Sequence, residues 1–339
     1  MSPTVIDAHA HVIPMPFLET AARDNRYSVT VEHNKAGQIW LRHGEGYRYP
    51  VTRDFFDAEA RLEALDRAQV DGAVLSPSPT LFYYASDPSF AAEAARLIND
   101  GLAEMVQGRS SRLQGLGVVP LQDPPAAIRE MERCLRELGF GGVHVGCTLG
   151  KASVFEPERE VFFRRAAELG ALVFVHPSYV GLRPGLEKYY LTNTVGNPFE
   201  TTVAIGHAIF SGLLDRCPNL RLLFAHGGGF LPYQIGRFDH AYRVRPEARE
   251  RAENAPSSYF RKLYYDTITH NVGALSYLVE SVGYGQVMLG SDAPFDMADP
   301  EPVRAVLGAD FPPRQRDAIL GENAKAILGW SDVRRGCSR

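Results

Sequence analysis

Eight short runs of aliphatic and aromatic residues recur along this 339-residue chain, each set off from the next by a longer, more polar stretch. The runs at 5–11, 72–76, 113–119, 142–145, 172–176, 222–226, 263–266 and 287–291 read as strands. Their near-continuous apolar character is that of strands covered on both faces. The intervening stretches 58–68, 90–106, 124–138, 159–169, 199–214 and 272–282 have helical period. The first of these places Leu62, Leu65 and Ala68 on one side with charges between them, an amphipathic helix lying on a sheet or barrel. Eight strands mostly followed by helices predict the α/β class and a (β/α)8 barrel over residues 1–330, with a polar, frayed tail at 331–339. A doubly wound open sheet is the competing architecture, but it carries a glycine-rich phosphate loop early in the chain, which is missing here. The chemically capable residues decide for the barrel. They stand at the C-terminal ends of the first, fifth, sixth and eighth strands, and only closure brings those ends around one mouth.

Two departures from a minimal barrel are legible. Residues 13–55 form an insertion after the first strand, with strand-like pieces at 30–34 and 38–44 around Lys35-Ala36-Gly37, expected to fold as a small β-ribbon over the mouth. Residues 177–198, rich in Tyr, Gly and Pro, form a second long loop on the same face. Long loops on a barrel's catalytic face usually shape substrate access.

Composition removes several function classes. A formal charge of −4 and a pI near 6.2 give nothing that draws nucleic acid. No run of 18 apolar residues marks a membrane span. The opening MSPTVIDAHAHVIP reads as a first strand, not a secretory leader. Cys134, Cys147, Cys217 and Cys337 are scattered without paired spacing, so a reducing cytoplasm is the expected compartment and a small molecule the expected partner.

The strongest local signal is Asp7-Ala8-His9-Ala10-His11. Residues i and i+2 of a strand share a side, so His9 and His11 both face the barrel interior at its mouth. Alone, a His-x-His pair reads equally well as two ordinary strand histidines. His176 ends Leu172-Val173-Phe174-Val175, His226 ends Leu222-Leu223-Phe224-Ala225, and Asp292 follows Val287-Met288-Leu289-Gly290-Ser291. A single polar residue in such a place is usually a turn former or a cap. Several of them, all His or Asp on separate strand ends, are a metal site. Imidazole and carboxylate accept several divalent ions, so the set does not choose the metal.

These motifs resemble the amidohydrolase superfamily, specifically its nonoxidative decarboxylase branch typified by the aminocarboxymuconate-semialdehyde decarboxylase family. Asn197-Pro198-Phe199-Glu200-Thr201-Thr202 resembles that branch's helix before the sixth strand. His226-Gly227-Gly228-Gly229 with Arg237 eleven residues on, and Gly290-Ser291-Asp292-Ala293-Pro294-Phe295, resemble its sixth- and eighth-strand signatures. Ala293 stands where the family has an aromatic residue, and Ser178 where it has tryptophan.

The resemblance implies one Zn2+, with Mn2+ or another divalent ion as substitutes, held by His9, His11, His176 and Asp292. It implies His226 and Asp292 as the catalytic pair, His226 being the acid/base or, in the alternative, a further ligand. The fourth strand has no bridging lysine, which disfavours a binuclear site, and its His144 is expected in the core or behind the ligands. Arg48 (with one residue inserted before Asp57), Arg237 and Phe82 fall on the family's substrate-binding positions. Arg237 would act in trans in a homodimer, with the apolar helix around 199–210 either lining the interface or packing on the barrel. The implied reaction is decarboxylation of a conjugated or aromatic acid, such as an aminocarboxymuconate semialdehyde or a hydroxybenzoate. The alternative is a hydratase or hydrolase that uses a metal-bound hydroxide, formed because coordination lowers the pKa of water to ~7.

Overall fold

The computed structural model describes residues 4–44, 46–178, 185–330 and 333. Its centre is an eight-stranded parallel sheet: β1 (Ile6–Val12), β2 (Gly72–Pro77), β3 (Leu113–Val118), β4 (Gly142–Gly146), β5 (Leu172–His176), β6 (Arg221–Phe224), β7 (Tyr264–Asp266) and β8 (Val287–Met288). The strands lie in sequence order. The two ends of the sheet meet. Ala8 N donates to Leu289 O at 2.8 Å, His11 N to Ala293 O at 2.7 Å and Asp292 N to His9 O at 2.8 Å. The barrel of the sequence reading is therefore present, and its seam runs through the residues of greatest chemical interest.

The helices α1 (Ala58–Arg67), α2 (Pro88–Val106), α3 (Pro124–Arg136), α4 (Glu160–Leu169), α5 (Asn197–Phe210), α6 (Leu231–Val244) and α7 (Val272–Val282) surround it. Their starts follow from local chemistry. Asp57, Asp87, Asp123 and Asn271 each accept a hydrogen bond from a backbone N–H of the first turn, satisfying donors that the helix leaves unpaired. Pro88 and Pro124 stand in first turns, where a missing N–H costs nothing. Among the described residues no helix is long and apolar enough to cross a membrane.

Most boundaries lie within two residues of the sequence reading, and three of the differences have a plain backbone reason. The helix expected over 199–214 ends at Phe210, because Gly212 turns left-handed at φ 72° before the short helix Leu213–Arg216. The sixth strand stops at Phe224 and the eighth at Met288. Beyond Phe224, His226 (φ 56°) adopts a left-handed conformation that no strand can continue through, and beyond Met288 the Leu289 N–H donates to Ile319 O instead of to the neighbouring strand.

The insertion is richer than expected. A helix at Met15–Ala21 precedes three antiparallel strands, Val29–His33, Ile39–His43 and Arg48–Val51. The sequence reading lacked the third strand. The ribbon has its own apolar core, with Phe17, Tyr27, Leu41, Tyr49 and Phe55 packed with Phe90 and Ile98 of α2. That packing fixes the ribbon beside the mouth instead of leaving it free. Trp330 is buried at 3% exposure and its Nε1 donates to Ser110 O. Of the expected tail, Val333 packs against the barrel, and residues 331, 332 and 334–339 lie outside the described residues.

Candidate metal centre

β1 presents His9 and His11 inward, both fully buried, with their Nε2 atoms 2.9 Å apart. Each ring is aimed by its other nitrogen. His9 Nδ1 lies 2.7 Å from Asp266 Oδ2, His11 Nδ1 3.1 Å from Ser76 Oγ, and His176 Nδ1 2.7 Å from Pro177 O. A carbonyl or a carboxylate can only accept, so Nδ1 of His9 and of His176 carries the proton and Nε2 is left to turn inward. Asp292 Oδ1 joins them, 3.1 Å from His11 Nε2 and 3.4 Å from His9 Nε2. His176 Nε2 and Asp292 Oδ1 are buried with no hydrogen-bond partner.

With Nε2 of both rings unprotonated, two imidazole lone pairs 2.9 Å apart repel each other unless a proton or a cation lies between them, and orphaned buried acceptors are costly. A cation among these atoms relieves both, and the nitrogen and carboxylate donors suit a first-row divalent ion. The donor set fits a metal.

The electrostatics agree with that reading. Burial opposes charge on His9, but the hydrogen bond it donates to the Asp266 carboxylate and the nearby Asp292 carboxylate outweigh it and raise its pKa to about 10. Burial pushes His11 down to about 4 and His176 well below the ordinary histidine range. Burial would raise Asp292, yet the close approach of the His11, His226 and His9 rings holds it well below the usual carboxylate value. The ion and the proton on His9 therefore compete for one place.

His226 stands at the rim. Its backbone N donates to Asp266 Oδ2 at 2.8 Å and Gly227 N donates to Asp266 Oδ1 at 2.8 Å, while its Nε2 is 3.6 Å from Asp292 Oδ2. The following glycines are required. Gly229 has φ 65°, and a Cβ there would lie 2.1 Å from Pro198 O. Donor atoms of His9, His176, His226 and Asp292 all lie within 4.8 Å of one another. His11 stands outside that foursome but against two of its members. The structure thus gathers all five residues that the sequence singled out. His144 is fully buried, stacked on Phe174 at 4.9 Å with Nδ1 3.1 Å from Pro77 O, and lies outside the foursome.

Two cavities meet at this centre, sharing His226, Asp292, Asn193, Asn197 and Met297. One, of about 230 Å³, is walled by Tyr47, Tyr190 and Phe295, and the Tyr190 hydroxyl donates to Asp296 at 3.0 Å. The other, of about 680 Å³, is mainly apolar, with Phe230, Ile268, Tyr277 and Leu278. The loop 177–198 does contribute Leu186, Glu187 and Tyr190 to the first cavity, although 179–184 lie outside the described residues.

The expected substrate residues are placed differently. Arg48 is turned away, its guanidinium 4.4 Å over the Trp40 ring and 3.6 Å from Glu32. Strand alternation gives the inner face to Tyr49, which touches Phe295, so Arg48 lines neither cavity. Arg237 is exposed on α6 and also lines neither. Phe82 is buried, stacked on Tyr84 at 5.2 Å and edge-on to His144 at 4.8 Å, and it lines a separate cavity.

Asp266 was missed by the sequence reading. It is fully buried and accepts from His9 Nδ1, His226 N, Gly227 N and Ile268 N. Its signal was the same as the others, a carboxylate closing an apolar run, Tyr264-Tyr265-Asp266.

Comparison with known proteins finds relatives over most of the chain. The 2-amino-3-carboxymuconate-6-semialdehyde decarboxylase of Dictyostelium discoideum is 32% identical over 328 residues, covering 96% of this chain and 91% of that one. Gamma-resorcylate decarboxylase of Polaromonas is 28% identical over 255 residues, 71% of this chain and 78% of that one. Among solved structures, the Metarhizium anisopliae IDCase superimposes with a TM-score of 0.84 at 22% identity, covering 97% and 98% of the two chains. A Polaromonas dihydroxybenzoic acid decarboxylase with manganese and 2-nitroresorcinol does so with a TM-score of 0.80 at 22% identity, covering 97% of each. A family model described as amidohydrolase matches residues 6–330, and the chain belongs to the amidohydrolase family.

Proposed function

We propose that this protein is a metal-dependent nonoxidative decarboxylase of a conjugated or aromatic carboxylic acid, an aminocarboxymuconate semialdehyde or a hydroxybenzoate-like acid. The observation that carries the reading is the convergence of His9, His11, His176 and Asp292 beside His226, where two cavities meet. Decarboxylase relatives over most of the chain's length support it. His9, His11, His176 and Asp292 would hold one divalent ion, Zn2+ in our reading, with Mn2+ as the substitute that the Polaromonas structure contains. The ion supplies Lewis acidity towards the substrate's oxygen atoms.

The residues of the chain do the rest. Asp266 aims His9 and, through two backbone N–H groups, the turn that carries His226. His226, beside Asp292 at the cavity rim, delivers a proton to the carbon that loses carbon dioxide. The C–C bond breaks, its electron pair passes into the conjugated system, and the C–H bond forms from that proton. Tyr47, Tyr190 and Phe295 hold a flat substrate and exclude water.

The test is carbon dioxide release from a panel of muconate semialdehydes and hydroxybenzoates, followed by ultraviolet absorbance. Chelated protein is expected to be inactive, and Zn2+ or Mn2+ to restore turnover. Incorporation of water into the product with no carbon dioxide release sinks the decarboxylase reading.

The active form we propose is a homodimer with Arg237 completing the neighbouring site. Supporting it, Arg237 shares α6 with Tyr233 at 82% exposure, next to Phe230 at 41%, on the open side of the larger cavity. The apolar residues of α5 (Ala204, Ile205, Ala208 and Ile209) are buried, and Phe199 alone of its aromatic residues is strongly exposed. Arg237→Ala should lower kcat/KM ~100-fold, the usual loss for a severed carboxylate–guanidinium pair. Mixing it with His226→Ala should then restore activity, since a hybrid dimer regains one intact site. Mixed subunits that stay inactive would show that Arg237 does not act in trans. Cys134 and Cys217, buried thiols outside any disulfide, support a reducing, cytoplasmic setting.

A further inference from the structure

A third cavity, of about 520 Å³, opens beside the metal centre over the ends of β2, β4 and β5. It shares Pro79 and Thr80 with the smaller cavity at the centre, and the consecutive Pro177 and Ser178 wall one cavity each. Its floor is aromatic. Phe82 and Tyr84 stack there against Gly146, where a Cβ would lie 3.1 Å from the Tyr84 ring and 3.3 Å from Ser178 Oγ.

The walls are polar, and two of their groups are unsatisfied. His43 (6% exposed) and Ser178 (9% exposed) line the cavity, and neither His43 Nε2 nor Ser178 Oγ has a hydrogen-bond partner. Buried polar atoms left unpaired on two residues of one cavity wall are costly, and a hydrogen-bonding ligand that drew them round would relieve both. Burial holds His43 down at about 4, so its ring meets a ligand as a neutral hydrogen-bonding group. Lys151, exposed on the hairpin after β4, adds the one ammonium among the described lining residues.

We propose that this cavity is a binding site for an oxygen-bearing group of the substrate, a hydroxyl, carbonyl or carboxylate remote from the reacting carboxyl, held by Ser178 and His43. The inference rests on the decarboxylase reading and narrows it to acids that carry a second oxygen function at their far end. An alkyl group in the same place would leave both orphan atoms unpaired, which is how a polar site rejects an apolar analogue. Ser178 is the residue that sets this preference.

The experiment uses metal-loaded enzyme and pairs of 2-hydroxybenzoates that differ by one hydroxyl, formyl or carboxyl group at ring position 4 or 5. The oxygenated member should be preferred in kcat/KM, and Ser178→Ala should shrink that preference about tenfold, the value of roughly one hydrogen bond. Ser178→Trp, which fills the cavity, should abolish it while metal content stays at the parent level. A preference unchanged in both variants overturns the proposal. Calorimetric titration with the same rings lacking the carboxyl group reads the cavity without turnover. Binding of the oxygenated ring about tenfold tighter to the parent than to Ser178→Ala supports the site even if no acid in the panel releases carbon dioxide. Equal affinities overturn it, and absence of carbon dioxide release by itself counts against the reaction class, not against the site.

Discussion

His226→Ala is expected to keep one ion per chain and to lose about 10²–10⁴-fold in kcat, the usual value of a positioned general acid. The expectation follows from how the centre divides its labour. His9, His11 and His176 are each anchored through Nδ1 to a fixed partner, which leaves Nε2 as the only atom they can offer inward. His226 has no such anchor. Its ring Nδ1 is buried without a partner, its Nε2 stands 3.6 Å from Asp292, and it faces both cavities. A histidine that touches the substrate space but is held only through its backbone is suited to hand over a proton. Yet its donor atom also falls within 4.8 Å of those of His9, His176 and Asp292, so the ligand alternative has a geometric basis. Metal content measured beside carbon dioxide release separates the two. Loss of the ion along with activity would make His226 a ligand, and parent-like turnover would remove it from the reaction altogether.

The barrel and its centre were legible in the sequence because both are written in local patterns. A run of apolar residues that a polar one terminates marks a strand end, and His176, His226 and Asp292 all obey that rule. His9 and His11 needed only the two-residue period of a strand. What escaped was long-range or parity-dependent. Asp266 closes the expected strand at 263–266 as the other polar residues close theirs, but its importance lies in contacts with residues 40 and 257 positions away. Arg48 sits on a ribbon strand that the sequence reading did not resolve, and a one-residue change in register exchanges the inner and outer faces of such a strand. The flanking Tyr47 and Tyr49 took the inner side, sending Arg48 to Glu32 and Trp40. Left-handed backbone at His226 and a Leu289 N–H turned to Ile319 O shortened two strands, and neither is written in the pattern of apolar residues.

Asp266 is where the fold and the chemistry are tied together, so its substitution should damage both, and two variants can separate them. Asp266→Ala leaves His9 Nδ1, His226 N, Gly227 N and Ile268 N without their acceptor in a fully buried place. Each orphaned donor costs about 1–3 kcal/mol, and because neighbouring losses are not additive the total should be about 3–5 kcal/mol. That is a large share of the stability of an ordinary domain, and it should appear as a lowered urea midpoint even with the ion present. Asp266→Asn keeps a carboxamide oxygen for Gly227 N and Ile268 N but removes the charged oxygen that accepts from His9 Nδ1 and His226 N. It should unfold at a midpoint between those of the parent and Asp266→Ala, and bind its ion ~10–100-fold more weakly, the usual loss when the partner behind a ligating histidine is removed. Competitive chelation on the folded Asn variant reads that affinity directly. Parent-like affinity there would mean that Asp266 supports only the turn after β6. His9 would then keep its aim from the β1 backbone alone, and the centre would owe nothing to the seventh strand beyond its place in the barrel.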